Sequence, residues 1–187
     1  MKKALAAALL AIVVLTGCSG KNEELEQGLK LRTRLLTGNG CQFDAEITAD
    51  YGDKLHVFAL QCQADKEGAV QFRVTKPESI AGIEGTLDAG DGALTFDGTA
   101  LHFPLLADNQ VTPVSAPWLL MKALRAGYLR SAGSAGALTQ LSLDDSYDED
   151  ALHLDIWLNE EKLPVKAEIL FRERKILSLD VQNFRFQ

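Results

Sequence analysis

This sequence predicts an α+β fold, one antiparallel sheet of about ten strands with a single apolar face and two helices to cover it. Three observations predict it. Alternation of period two recurs from Cys41 onward, as in Phe43, Ala45, Ile47 and Ala49 against Asp44, Glu46 and Thr48. Glycine-bearing turns, Gly90-Asp91-Gly92 and Asp97-Gly98, separate short apolar runs in mid-chain. Helical spacing is confined to two segments, one ahead of the first strand and one near residue 120.

The chain opens with Met1-Lys2-Lys3, runs apolar from Ala4 to Val14, and closes on Leu15-Thr16-Gly17-Cys18. A charged start, a short apolar stretch and small residues are the layout of a secretory signal peptide, too short to span a bilayer. Leu-Thr-Gly-Cys resembles the lipobox read by lipoprotein signal peptidase. That resemblance implies cleavage before Cys18, a diacylglycerol on its sulfur and often an acylated amino terminus. Residues 1–17 are then the signal peptide, 18–21 a lipidated tether and 22–187 a single domain. Removing a leader that holds Lys2 and Lys3 and no acid takes the formal charge from −7 to −9. Such a chain is unsuited to nucleic acid or to electrostatic adhesion on anionic headgroups. Membrane contact must come from the lipid or from an apolar surface.

Asn22 can cap a first helix whose opening turn holds Glu23 and Glu24, as the helix dipole favours. Leu25, Leu29, Arg32 and Leu36 recur at helical spacing, and Gly38-Asn39-Gly40 stops the run. Cys41–Asp50 and Lys54–Gln63 form a hairpin expected to turn at Tyr51-Gly52. Residues whose numbers total 103 would then face each other, Cys41 and Cys62 among them. Directly opposed residues stand close to disulfide reach, so the pair is a disulfide candidate in a non-cytosolic compartment, the alternative being two small buried thiols. Without a Cys-x-x-Cys motif a redox catalyst is not indicated. Val70, Phe72 and Val74 continue the alternation, and further strands are expected near Gly82–Asp88, Ala93–Phe96 and Thr99–Leu105.

Ala116-Pro117 opens a second helix, since proline suits the first helical position, and the helix is expected to run to about Arg130. Ser131-Ala132-Gly133-Ser134-Ala135-Gly136 has the composition of a flexible linker. Strands resume at Leu138–Leu143, Leu152–Leu158, Pro164–Phe171 and Lys175–Phe186. In the last, Leu177, Leu179 and Val181 keep odd phase while Phe184 and Phe186 are even, which predicts a bulge near Gln182-Asn183.

Phe72-Arg73-Val74-Thr75-Lys76-Pro77, then Gly85, then Leu94-Thr95-Phe96-Asp97-Gly98 resemble the course of the lipoprotein-localisation factor (LolA/LolB-like) superfamily. Leu163-Pro164-Val165-Lys166-Ala167-Glu168-Ile169, Lys175 and the Val181–Phe186 ending resemble its close. The resemblance spans most of residues 22–187, and order and spacing carry it. It implies a strongly curved sheet forming an incomplete β-barrel, with helices over its concave apolar face like a lid. It further implies acyl chains of lipids or lipoproteins held between sheet and helices. Cys18 departs from the soluble shuttles and is similar to the lipid-anchored branch of sorting and germination lipoproteins.

The candidate lining is Phe43, Phe72, Phe96 and Phe103 on strands with Trp118, Met121 and Leu124 on the second helix; plain core packing is the competing reading. An apolar cleft binds an acyl chain without a catalytic group or cofactor. No nucleophile elbow, phosphate loop or paired-carboxylate motif points to an enzyme. The acidic run Asp144–Asp150 lacks the glycine and glutamate of a calcium loop and reads as a solvated turn. His56, His102 and His153 sit in three separate strand segments without metal-ligand spacing. Two functions follow as expectations: an anchored envelope lipoprotein holding lipid or a lipoprotein acyl group, or an interaction module with a filled core. The second would position an envelope or spore-germination enzyme through a sheet edge or the acidic face.

Overall fold

The computed structural model describes residues 23–50, 52, 54–88, 91–96, 99–104, 106–107, 110–148 and 151–187. The expected cap Asn22, the tether and the leader lie outside them. Helix α1 spans Glu23–Thr37, with Glu23, Glu24 and Glu26 in its first turn and Arg34 in its last, the charge order the helix dipole favours. Its buried face is Gly28, Leu31 and Leu35, not the Leu25-Leu29-Leu36 stripe that the spacing singles out. Gly28 makes the difference. A β-carbon there would stand 3.0 Å from a methyl of Leu141, so the bare backbone lets the helix settle on the sheet along that line.

The strands are β1 (Gly40–Asp50), β2 (Leu55–Asp65), β3 (Val70–Lys76), β4 (Glu84–Asp88), β5 (Asp91–Phe96), β6 (Thr99–Pro104), β7 (Leu106–Ala107) and β8 (Gln110–Val111). Helix α2 (Ala116–Ala126) follows, then β9 (Tyr128–Ala135), β10 (Leu138–Asp144), β11 (Leu152–Leu158), β12 (Pro164–Phe171) and β13 (Arg174–Phe186). Eleven strands form one sheet in the order β6-β5-β4-β3-β2-β1-β13-β12-β11-β10-β9, while β7 and β8 pair separately. Every pairing in it is antiparallel. The β1–β13 ladder joins the two halves of the chain, and the edges β6 and β9 do not meet. The sheet is thus curved but unclosed, the incomplete barrel that the resemblance implies.

Two expectations are corrected. Ser131–Gly136 is not a linker: Tyr128–Ala135 is an edge strand, paired with β10 and joined to it by a two-residue turn with Gly136 at φ 66°. Pairing along one whole side overrides the weak strand propensity of serine, alanine and glycine. Helix α2 therefore ends at Ala126, and Tyr128 belongs to the sheet.

The β1–β2 register is the second. Asp50 faces Leu55 and Phe43 faces Cys62, so facing numbers total 105, and Cys41 lies opposite Ala64. Cys41 and Cys62 are diagonal neighbours on one face, and diagonal side chains in a ladder stand roughly 7–8 Å apart, beyond disulfide reach. Both are buried free thiols. The bulge in β13 falls where the phase change puts it. Gln42 pairs with Arg185 and Asp44 with Gln182, and Asn183 takes a left-handed φ of 54°, a conformation asparagine tolerates.

The core lies between the concave face and the helices. Its odd-numbered β1 residues (Cys41, Phe43, Ala45, Ile47, Ala49) meet even-numbered β2 and β3 residues (Leu60, Cys62, Phe72, Val74), all at most 4 % exposed. Leu154, Ile156, Ala167, Ile169 and Leu179 extend it across the other half at 0 %.

Candidate functional site

The two faces of the sheet are both candidate sites. On the concave face, α2 is inserted rather than laid across: Ala116, Pro117, Leu119, Leu120, Met121, Ala123 and Leu124 are all buried. Only a narrow stripe, Trp118, Lys122, Arg125 and Ala126, is left toward solvent, so most of this 11-residue helix belongs to the core. Of the expected lining, Phe43, Phe72, Met121 and Leu124 do meet in one core, at 2, 4, 1 and 3 % exposure. A side chain lining a void that admits water shows surface to it, so these values describe filled packing. Phe43 stacks on Phe184 with ring centroids 5.6 Å apart, and Met121 sulfur stands 3.9 Å from Cys41 sulfur. Trp118 is half-buried at the rim, with the Lys122 ammonium 5.4 Å from its ring. The side chains of Phe96 and Phe103 lie outside the described residues; their backbones belong to β5 and β6.

What holds α2 in place was not anticipated from the sequence. Arg32 of α1 donates from Nε to the Leu124 carbonyl (2.9 Å) and from one terminal nitrogen to those of Ala123 (3.3 Å) and Gly127 (2.7 Å). Arg125 of α2 answers with 2.6 Å to the Leu35 carbonyl at the end of α1 and 2.7 Å to that of Lys66 in the β2–β3 turn. Each helix thus has carbonyls at its C-terminal end bound by an arginine of the other, where the dipole favours a cation. Burial pulls Arg32 below the ordinary arginine range.

Burial also pushes the thiol of Cys41 up to about 12, with the Arg125 charge partly opposing it. Cys62 is pushed further up, by burial first and then by Asp44 and Cys41. Neither is a thiolate nucleophile at neutral pH.

The opposite face carries a concavity of about 1010 Å³ spread over β13, β1, β2, β3, β4 and β5. Two rungs of outward side chains cross it. One runs Arg185, Gln42, Gln63, Gln71, Thr86, Ala93 and the other Asp44, Gln61, Arg73, Glu84, Thr95, each neighbour facing the next across a strand pair. Asn183, presented by the bulge, donates to Asp44 at 2.7 Å, and Arg185 donates to Gln42 at 3.1 Å. Arg73 and Glu84 form an ion pair across β3 and β4. The floor of the concavity is formed by Phe43, Cys62, Phe72 and Gly85, the first three of them buried. Spanning six strands gives it a length of about 24 Å. Two cations, two carboxylates and a row of amides make it a neutral hydrogen-bonding surface. Nothing in composition marks it, because each of its residues alone reads as the solvated side of a strand.

The acidic run is tied down. Asp144 accepts from Arg130 at 2.6 Å and from His153 at 2.7 Å, and Asp145 from Lys122 at 3.2 Å and from the backbone N–H of Leu152 at 2.7 Å. Glu149 and Asp150 lie outside the described residues. His56, His102 and His153 fall on β2, β6 and β11, no two of them adjacent strands.

No family model matches this chain, and no curated protein matches it. Solved structures of similar shape include a LolA superfamily protein of Nitrosomonas europaea, 11% identical, TM-score 0.48, covering 87% of this chain and 93% of that one. A putative outer membrane lipoprotein-sorting protein domain of Vibrio parahaemolyticus is 12% identical, TM-score 0.45, covering 88% and 92%. Lipoprotein LppX of Mycobacterium tuberculosis is 10% identical, TM-score 0.43, covering 87% and 93%. Each is a likeness of overall shape between sequences of low identity, and it assigns neither a family nor an activity to this chain.

Proposed function

We propose that this chain is an extracytoplasmic protein held to a membrane by acyl chains on Cys18, its 22–187 domain working without catalysis as a module that binds an envelope protein. The observation that carries this reading is the disposition of the two faces. The apolar concave side is filled by α2, and the ligand-sized concavity is polar and lies on the other side. Amides offer a donor and an acceptor each, which matches the repeating N–H and C=O of an extended polypeptide segment. About 24 Å accommodates roughly seven extended residues. An envelope enzyme positioned in this way fits a tethered, non-catalytic partner.

A second reading is favoured by the resemblance to lipoprotein-localisation factors and by the apolar face that α2 buries against the sheet. Here an acyl chain takes the place of α2 against Phe43, Phe72 and Leu124 once the arginine clamp between the helices opens.

One experiment separates them. A photo-crosslinking residue is placed at Gln63 or Gln71 in the groove, and at Trp157 on β11 as a control. Irradiation in the native envelope, with mass spectrometry of the adducts, is expected to join one protein to the groove positions and not to the control. Groove positions that give no adduct, together with an acyl chain extracted from the purified domain, would reject the first reading in favour of the second.

A further inference from the structure

Helix α1 shows three exposed leucines, Leu25 at 37 %, Leu29 at 46 % and Leu36 at 52 %. At 100° per residue they fall within about 40° of one another, a single stripe about 16 Å long. This stripe lies between two other faces. On one side are Gly28, Leu31 and Leu35, packed on the sheet; on the other is the charged side, where Lys30 and Glu26 pair at 2.8 Å in solvent.

Resting on the reading that Cys18 carries the lipid, we infer that α1 lies along the bilayer surface with Leu29 and Leu36 seated among the headgroups. Four residues separate Cys18 from Glu23, so the start of the helix stays within about 18 Å of the anchored sulfur. A three-leucine stripe adheres weakly alone, but a short tether makes the contact intramolecular, at an effective concentration in the millimolar range. The occupant is the apolar and headgroup boundary, not anionic charge, because the processed chain carries a formal charge of −9 and Glu23, Glu24 and Glu26 crowd the first turn. Contact is therefore insensitive to salt. It also sets the orientation: α1 covers the concave side, so the polar groove on the opposite face of the sheet points away from the membrane.

The test uses the full lipidated protein in vesicles of phosphatidylcholine and phosphatidylglycerol. An environment-sensitive fluorophore is attached through Leu29→Cys, Leu36→Cys or, on the charged side, Lys30→Cys; buried Cys41 and Cys62 do not compete for the label. Quenching by a lipid spin-labelled near the headgroup is expected to be several-fold stronger at 29 and 36 than at 30, and unchanged in high salt. A protein whose mass shows diacylglycerol on Cys18 but whose three positions are quenched alike overturns the inference and leaves the anchor standing. A protein that carries no diacylglycerol overturns the anchor and the inference with it.

Discussion

Cys41 and Cys62 mark how far a strand pattern reads. Moving a turn by one residue keeps every side chain on its face and shifts each cross-strand partner by two positions, so facing numbers total 105 rather than 103. Alternation puts both cysteines on the apolar face of the sheet, whereas their pairing depends on the β1–β2 register, which composition does not encode. The same shift decides the groove, since Gln42 stands beside Gln63 only in the observed register. The thiols give the check. With burial holding the Cys41 thiol up to about 12 and Cys62 higher still, the folded domain at pH 8 is expected to leave an aromatic disulfide reagent unreacted, and to titrate both thiols once unfolded. Its melting temperature is expected to be the same with and without reductant. A reductant-dependent melt would put a disulfide back between them.

At the level of elements, α1 and the four long C-terminal strands were legible because each carries its own signal: acidic first turn and glycine stop, or clean alternation between turns. Strand β9 was not, because Ser131, Gly133 and Ser134 take their conformation from β10 and not from their own preference. The arginine clamp was hidden for a related reason. Arg32 and Arg125 are ordinary helix residues until tertiary structure brings each to the other helix's end. Arg32→Ala is expected to cost about 2 kcal/mol, as the loss of charged hydrogen bonds to backbone carbonyls does. For a domain of this size that lowers the melting temperature by roughly 4–8 °C. Arg32→Lys is expected to recover only part, since an ammonium cannot reach three carbonyls with a planar fork. If the clamp also gates α2, uptake of a fluorescent fatty acid rises in Arg32→Ala relative to the parent at temperatures where both are folded. Equal uptake in both would confine the clamp to stability.

Across the whole molecule, the two halves of the sheet are stabilised differently. Among the described residues, the outer side from β6 to β1 carries the single cross-strand ion pair Arg73–Glu84, while from β9 to β13 two carboxylates there each bind two partners. Asp144 on β10 binds Arg130 on β9 and His153 on β11. Glu168 on β12 binds Lys166 at 2.8 Å and Lys175 on β13 at 3.2 Å. For each, burial pushes the carboxyl up, but the hydrogen bonds and charges of these partners together outweigh it and leave it below the ordinary value. A carboxylate whose folded pKa is depressed contributes stability that is complete above its unfolded value, about 4, and is lost as pH falls through the folded value. The cationic partners are well exposed, Arg130 at 65% and Lys175 at 50%, so solvent screens each pair and the effect per site is small. The melting temperature is accordingly expected to hold between pH 7 and 5 as far as these two sites govern it, then to fall below pH 4. In the Asp144→Asn/Glu168→Gln double variant the protein is expected to melt lower at pH 7 and to lose less on going to pH 3, so that the curves of parent and variant converge in acid. Parallel curves would place the acid sensitivity elsewhere.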